Sequence, residues 1–374
     1  MPSSPECRVS KLVAIDYSGI EAVLVGWFSR DPAYIRLARL GVHSYLCSHL
    51  VGRPASAAWD DARLAAHLKE IKKEFDREPD NMYDRAKKCI HGTNYKLTPH
   101  GMNERFPDIY PTRRHAEDVQ RMYFELCPQL PRWQAATINF AAQHNYWGGV
   151  GEPGAVGVHP YGNVHWFWDV IRYRPITPPE ALRLQNLNRP VVQVGGGRWF
   201  ALQEGEDAKR CVANPPQSTA ACIIKEAGLR LLAPPELSGA SGENYIADCG
   251  PGGRNPLRAL VHDEFLFEVP DRQVERVVER AVKEMCRPIA ALPCPEEWGI
   301  GSHLRIGVEV MVGRNWDKKS MEKVKVEGIE IPTSPWDEQE KEDEARFRAE
   351  LAGGVDEEKE DEEWSEEMVV ALRG

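Results

Sequence analysis

Nowhere in this chain of 374 residues does an apolar run approach the roughly eighteen residues that a membrane-spanning helix needs. The opening segment MPSSPECRVSK has no apolar signal core, so membrane-spanning and secreted classes are set aside and a cytoplasmic setting is expected. Nine cysteines form an odd set with no C-x-x-C pair, which argues against a disulfide framework or a zinc ribbon and for reduced thiols. His43, His49, His67, His91 and His100 have no tight zinc spacing. Gly252 and Gly253 lie in a PGGR turn that no phosphate-loop signature follows. No internal repeat is present.

An excess of positive charge is also missing. The formal net charge is −10, the wrong sign for a nucleic-acid binder until the charges are located. Between Pro335 and Gly374 stand sixteen acidic and five basic residues, so the rest of the chain is nearly neutral. Binding to nucleic acid depends on the charges that touch phosphate, not on the total. The acidic segment 335–374 reads as a solubilising extension, with DNA mimicry or docking on a basic partner as the alternative.

The run LVAI at 12–15 ends in Asp16 and then Ser18-Gly19, a strand entering a turn. IEAVLVGWF begins a helix, and two further helical stretches, DDARLAAHLKEIKKEF and MYDRAKKCIHGTNY, flank a break at REPDN. Residues 113–145 read as two helices separated by a turn at Pro128 and Pro131. A Gly- and aromatic-rich stretch then predicts short strands, and 172–207 carries no clear pattern. PQSTAACIIKEAGLRLLA at 216–233 predicts a helix opened by its polar residues. LRALVHDEFLFEVP at 257–270 predicts a β-hairpin with acids at its bend, RQVERVVERAVKEMC a helix, and LRIGVEVMVG a strand.

Asp16 and Asp263 each follow an apolar strand-like run that ends at a turn. Side by side in one sheet, their carboxylates can share hard divalent cations, with water and phosphate oxygens completing the shell. Each alone reads equally as a turn residue. His262 and Glu264 flank Asp263, and strand alternation points them away from the face that Asp263 uses. On one helix, Lys87, His91 and Tyr95 recur every fourth residue and share a stripe with Tyr83 and Asn94. Lys87 can neutralise triphosphate charge there, and the two rings can lie against a base and sugar; a solvated basic face is the plainer account. Gln217, Ser218 and Thr219 suit either contacts to DNA or a helix cap. Trp166, Trp168, Trp199 and Trp316 suit either base stacking or packing.

Taken in order, these segments resemble family A DNA polymerases, the bacterial DNA polymerase I family and its phage relatives. VAIDYSGIEAVLVGWFSRDP at 13–32 resembles the first palm motif, with GVHSYLCSHLVG after it. KKCIHGTNY at 87–95 resembles the fingers helix in its phage style, and PPQSTAACIIKEA at 215–227 the palm helix that lines the duplex. LVHDEFLFEVP at 260–270 resembles the catalytic hairpin and VGRNW at 312–316 the last strand of the domain.

The resemblance implies an α+β fold, a polymerase right hand with an antiparallel palm sheet and mainly helical fingers, lacking the usual thumb and exonuclease domain. Its parts would be a first palm segment at 1–40, fingers at 41–145, a second palm segment with insertions at 146–334 and the acidic tail at 335–374. The implied activity is DNA-templated DNA synthesis from dNTPs on a primed template. Two Mg²⁺, for which Mn²⁺ can substitute, would be held by Asp16, Asp263, Glu264 and the backbone carbonyl of Tyr17. Lys87 would act on the phosphates, His91 and Tyr95 would shape the base-pair pocket, and Glu21 would crowd the sugar 2′ position. Gln217, Asn214 and His262 would contact DNA.

Departures from the family pattern are Gly19 in place of glutamine, Lys96 in place of glycine, and Tyr83 in place of an arginine that holds triphosphate. Ala213 stands where asparagine is frequent, with Asn214 beside it. Because fifteen residues precede Asp16, the expectation is a split polymerase whose thumb or exonuclease comes from a separate chain. The alternatives are a catalytically impaired remnant that binds DNA or a partner, and an unrelated metal-dependent nuclease.

Overall fold

The computed structural model describes residues 10–76, 82–187, 189–238 and 244–324. The chain divides into two units, Met1–Thr333 and Ser334–Gly374. The acidic tail and the REPDN break lie outside the described residues.

Strand β1 (Ser10–Tyr17) turns at Gly19 into α1 (Ile20–Phe28), followed by α2 (Pro32–Leu40), α3 (Val42–Leu50), α4 (Asp61–Phe75) and α5 (Met82–Asn94). Gly19 has φ +62°, a left-handed conformation that glycine adopts without a Cβ penalty. Then come α6 (Pro99–Arg105), α7 (Arg113–Leu126) and α8 (Gln129–His144). The predicted turn between the last two falls at Cys127–Pro128, while Pro131 is absorbed into the first turn of α8, where its missing N–H costs nothing.

A lobe of short elements follows: β2 (Tyr146–Gly148), β3 (Val164–Trp166), β4 (Ile171–Ile176), α9 (Pro178–Asn186), β5 (Val191–Val194) and β6 (Arg198–Glu204). The stretch 172–207, unpatterned in sequence, contains a three-stranded sheet of order β4-β6-β5. Its strands are short and exposed, so burial imposed no clear alternation on them.

One helix, α10 (Asp207–Leu232), spans the next region, with Pro215 and Pro216 inside it. The predicted start at 216 is therefore corrected: the helix begins nine residues earlier. Two prolines ordinarily break a helix interior because each removes an i to i−4 hydrogen bond. Here both rings are buried, along with Ala208, Cys211 and Val212 on the preceding turns, and this tertiary packing offsets the lost bonds.

After the four-residue α11 (Pro235–Ser238), the hairpin β7 (Leu257–Val261) and β8 (Glu264–Pro270), helix α12 (Val274–Met285), β9 (Val308–Gly313) and β10 (Glu322–Val324) complete the described chain. The main sheet is antiparallel throughout, in the order β10-β9-β1-β8-β7. On one face Val13, Ile15, Phe265, Phe267, Val310 and Val312 enter the main core, against which α12 packs. On the other, Ala14, Leu266 and Met321 form a small cluster. Alternation places Asp16 on this second, thinly covered face.

Candidate active site on the open face of the sheet

Register brings the acids together. Asp16 pairs with Glu264 across β8 and with Glu309 across β9, so three carboxylates form a row on one face over three neighbouring strands. Strand alternation points Glu264 away from the face that Asp263 uses, and its pairing with Asp16 puts it on the Asp16 face. Asp263 joins from the two-residue turn His262–Asp263, closed by the Val261–Glu264 pair. Its carbonyl accepts from the Tyr17 amide at 3.2 Å, tying the turn to the end of β1. His262, exposed at the tip, has φ +55°, a strained value for a residue with a Cβ.

The charges in this row depend on one another. Burial, reinforced by the charges of Asp16 and Glu21, pushes the Asp263 carboxyl up to about 6. Burial also raises Asp16, with Glu264 and Glu309 adding to it and Lys318 opposing it. Glu264 is buried at 6% exposure and accepts from Trp316 Nε1 at 3.0 Å and Lys318 Nζ at 2.6 Å. Glu309 is paired with Lys323 at 2.5 Å.

The α5 face is joined to the segment after Asp16 through Glu21. Lys87 and His91 are exposed, and Lys87 makes no ion pair among the described residues. The His91 ring stands 5.0 Å from that of His43, and its pKa is lowered chiefly by desolvation, against the pull of Glu21. Desolvation, with His91, Lys87 and Lys72 nearby, takes His43 down to about 3. Asn94, expected on the same stripe, turns instead into the core, where it bonds the hydroxyls of Tyr34 and Tyr123. Tyr83 carries Lys72 Nζ 5.4 Å above its ring. Arg85 points elsewhere, to His115 at 3.2 Å.

Helix α5 ends in a Schellman motif: the Leu97 amide reaches Gly92 O at 2.7 Å and the Lys96 amide Thr93 O at 3.1 Å. Lys96 occupies the left-handed position with φ +62°, so it keeps the backbone shape that glycine gives there. This cap leaves Tyr95 just past the helix, and its hydroxyl donates to Glu21 Oε2 at 2.6 Å. That bond links the helix to the segment that carries Asp16. Beside it, a cavity of about 480 Å³ is lined by Lys87, His91 and Tyr95 and by the cations Arg105, Lys209 and Arg210. A cavity walled by several cations and no acid is suited to anionic ligands.

Gln217 is exposed on α10 and lies ten residues inside it, which removes its reading as a helix cap. Asn214 Oδ1 is buried without a hydrogen-bond partner among the described residues. Ser218 and Thr219 hold the buried His159 at 2.8 and 3.4 Å. Trp316 serves Glu264, while Trp166 and Trp168 stack on each other at 5.8 Å, both exposed. Sequence reasoning missed Glu309, Lys318 and the cations of the cavity. The alternation of VEVMVG was the signal for the first; the others come from separate elements and left none.

Among the described residues no group of three or more His, Cys, Asp or Glu side chains has metal-site geometry. Mg²⁺ is ordinarily bound through one or two carboxylates plus water and substrate phosphate, so it does not require such a cage. Two half-dehydrated aspartates, each raised by neighbouring negative charge, are a donor set that a divalent cation would relieve. The residues present fit the group.

No protein-family model matches this chain, and no curated protein matches it. Among solved structures it is similar to the POL domain of Pol1 from M. smegmatis, in complex with DNA primer-template and dNTP, at 20% identity and a TM-score of 0.50. The likeness covers 82% of this chain and 40% of that one. Together with the antiparallel sheet and its helical surround, it shows an α+β fold of polymerase-like arrangement. Among the described residues no helix is long and apolar enough to cross a membrane.

Proposed function

We propose that this chain carries the palm and fingers of a DNA-templated DNA polymerase, joining a deoxynucleoside monophosphate from dNTP to a primer 3′ hydroxyl. One observation carries the reading: the Tyr95–Glu21 bond at 2.6 Å ties the end of the lysine-bearing helix α5 to α1, whose Glu21 carboxylate also acts on Asp263 in the acidic row. A nucleoside triphosphate needs both poles, cations for its phosphates and metal-binding acids at the reacting phosphorus.

Asp16 and Asp263 are the residues that would hold two Mg²⁺, or Mn²⁺ in their place, with Glu264 and the Tyr17 carbonyl nearby. When bound, these ions would lower the pKa of the primer hydroxyl and offset charge on the departing pyrophosphate. Lys87, exposed on α5, would hold the phosphates and give a proton to the leaving group. His91 and Tyr95 line the base-pair pocket, and Glu21, fixed by Tyr95, crowds the sugar 2′ position. Gln217, Asn214 and His262 contact primer and template, and the cavity cations add phosphate contacts. The separate chain bearing a thumb or exonuclease belongs to the same proposal, tested by whether a co-purifying subunit lengthens the product made per binding event.

A second reading, a DNA-binding relative without turnover, draws on Tyr83, which brings an aromatic ring and not a guanidinium to α5. Primer extension with Mg²⁺ and four dNTPs separates the two. Extension by the wild type that Asp16→Ala abolishes supports the polymerase. DNA binding without extension, with the co-purifying subunit present, would establish the second reading.

A further inference from the structure

Carboxylates placed directly opposite one another on adjacent strands repel, and the open face of this sheet lines up three, Glu264, Asp16 and Glu309. Each is matched by a lysine from beyond β9. Lys323 pairs with Glu309 at 2.5 Å. Lys318 lies between the other two, 2.6 Å from Glu264 Oε2 and 3.5 Å from Asp16 Oδ2. Trp316, two residues earlier, donates to the other oxygen of Glu264 at 3.0 Å. The segment Trp316–Lys318 thus saturates a buried glutamate and extends its cation over the aspartate. Lys318 is itself 56% exposed, so its stem can swing away without unpacking the core.

We propose that Lys318 is a built-in counterion of the metal site, a positioning residue that occupies one oxygen of Asp16 until a divalent cation displaces it. The inference rests on the reading of Asp16 as a metal-holding residue. Glu264 is the tether: its bond to Lys318 keeps the ammonium beside Asp16, and its bond to Trp316 keeps Glu264 from turning toward the cation. The consequence is a site that holds its acid row together when empty and that binds a divalent ion less tightly than its carboxylates alone would.

The test measures Mn²⁺ binding to the full chain by the loss of the free-ion electron paramagnetic resonance signal at pH 7.5, without DNA or nucleotide. Lys318→Gln keeps a donor for Glu264 and removes the charge. Its Mn²⁺ dissociation constant is expected to fall roughly tenfold, the scale set by one unit charge at about 4 Å under aqueous screening. Lys318→Arg is expected to bind like the wild type. Equal or weaker binding in a folded Lys318→Gln, with melting monitored in parallel, overturns the proposal. A melting profile that shows Lys318→Gln unfolded passes the decision to Lys318→Met, judged by the same criterion. Asp16→Asn provides the separate control: if it binds Mn²⁺ as the wild type does, the assignment of Asp16 fails, and the counterion proposal with it.

Discussion

The acidic row around Asp16, at the end of the central strand β1, and the α5 face around Lys87 differ in almost every respect. The row is built by β-register, which fixes three acids over three strands. It is partly buried, and burial raises the Asp16 and Asp263 carboxyls. The helix face is built by a period of four residues within one helix, is solvent-facing, and opens on a cationic cavity. The contrast shows where each kind of chemistry can be placed. Like charges crowded on a sheet need counterions, whereas cations on an exposed helix are screened by water and need none.

If the acidic row supplies the metal-holding chemistry, its loss should cost the most. Asp16→Asn and Asp263→Asn are expected to lower the rate of single-nucleotide addition by at least about 10³-fold, since several kcal/mol of charge stabilisation disappears. Lys87→Ala should cost on the order of 10²-fold. Comparable small losses at all three positions would break the division of labour.

A second comparison concerns pH. Asp263, pushed up to about 6 from 3.8, binds more protons folded than unfolded between those values. Its contribution to stability is therefore full below pH 3.8 and lost as pH rises through about 6 in metal-free protein. Added Mg²⁺ or Mn²⁺ should then raise the melting temperature clearly at pH 7.5 and little at pH 5. Asp263→Asn should flatten that difference, and a metal effect equal at both values would count against the pair.

The bridge between the two regions gives a smaller effect. Tyr95→Phe removes a charge-assisted bond worth roughly 1.5–3 kcal/mol, which denaturant unfolding would resolve, and it frees Glu21 beside the sugar position. The smallest effect is expected at the helix cap. Lys96→Gly relieves about 1 kcal/mol of left-handed strain but loses the 2.8 Å pair with Glu204. An exposed pair of this kind is worth less than about 1 kcal/mol, so the midpoint should move little.

Several elements were legible in the chain itself. Apolar runs marked β1, β7 and β8, and the two aspartates stood out because an apolar run stopped at a turn beside each. The four-residue recurrence marked Lys87 and His91, because a helix converts spacing directly into a shared face, whereas Tyr95, past the end of α5, is placed by the cap that follows it. Asn94 escaped that logic, since its position relative to the core, and not its spacing, turned it inward to Tyr34 and Tyr123. The start of α10 escaped too, because two prolines are a strong local stop signal that only buried packing overrides.

Sequence by itself determined the strand and helix content of most site-bearing segments and singled out Asp16, Asp263 and Lys87 as candidates, because periodicity and turn chemistry are local. Tertiary structure alone decided the strand order that sets Glu309 and Glu264 on either side of Asp16, the reach of Lys318 to two carboxylates, and the Tyr95–Glu21 bond. Those contacts join residues 54 to 302 positions apart, and long-range register carries no local signal in the chain that forms it.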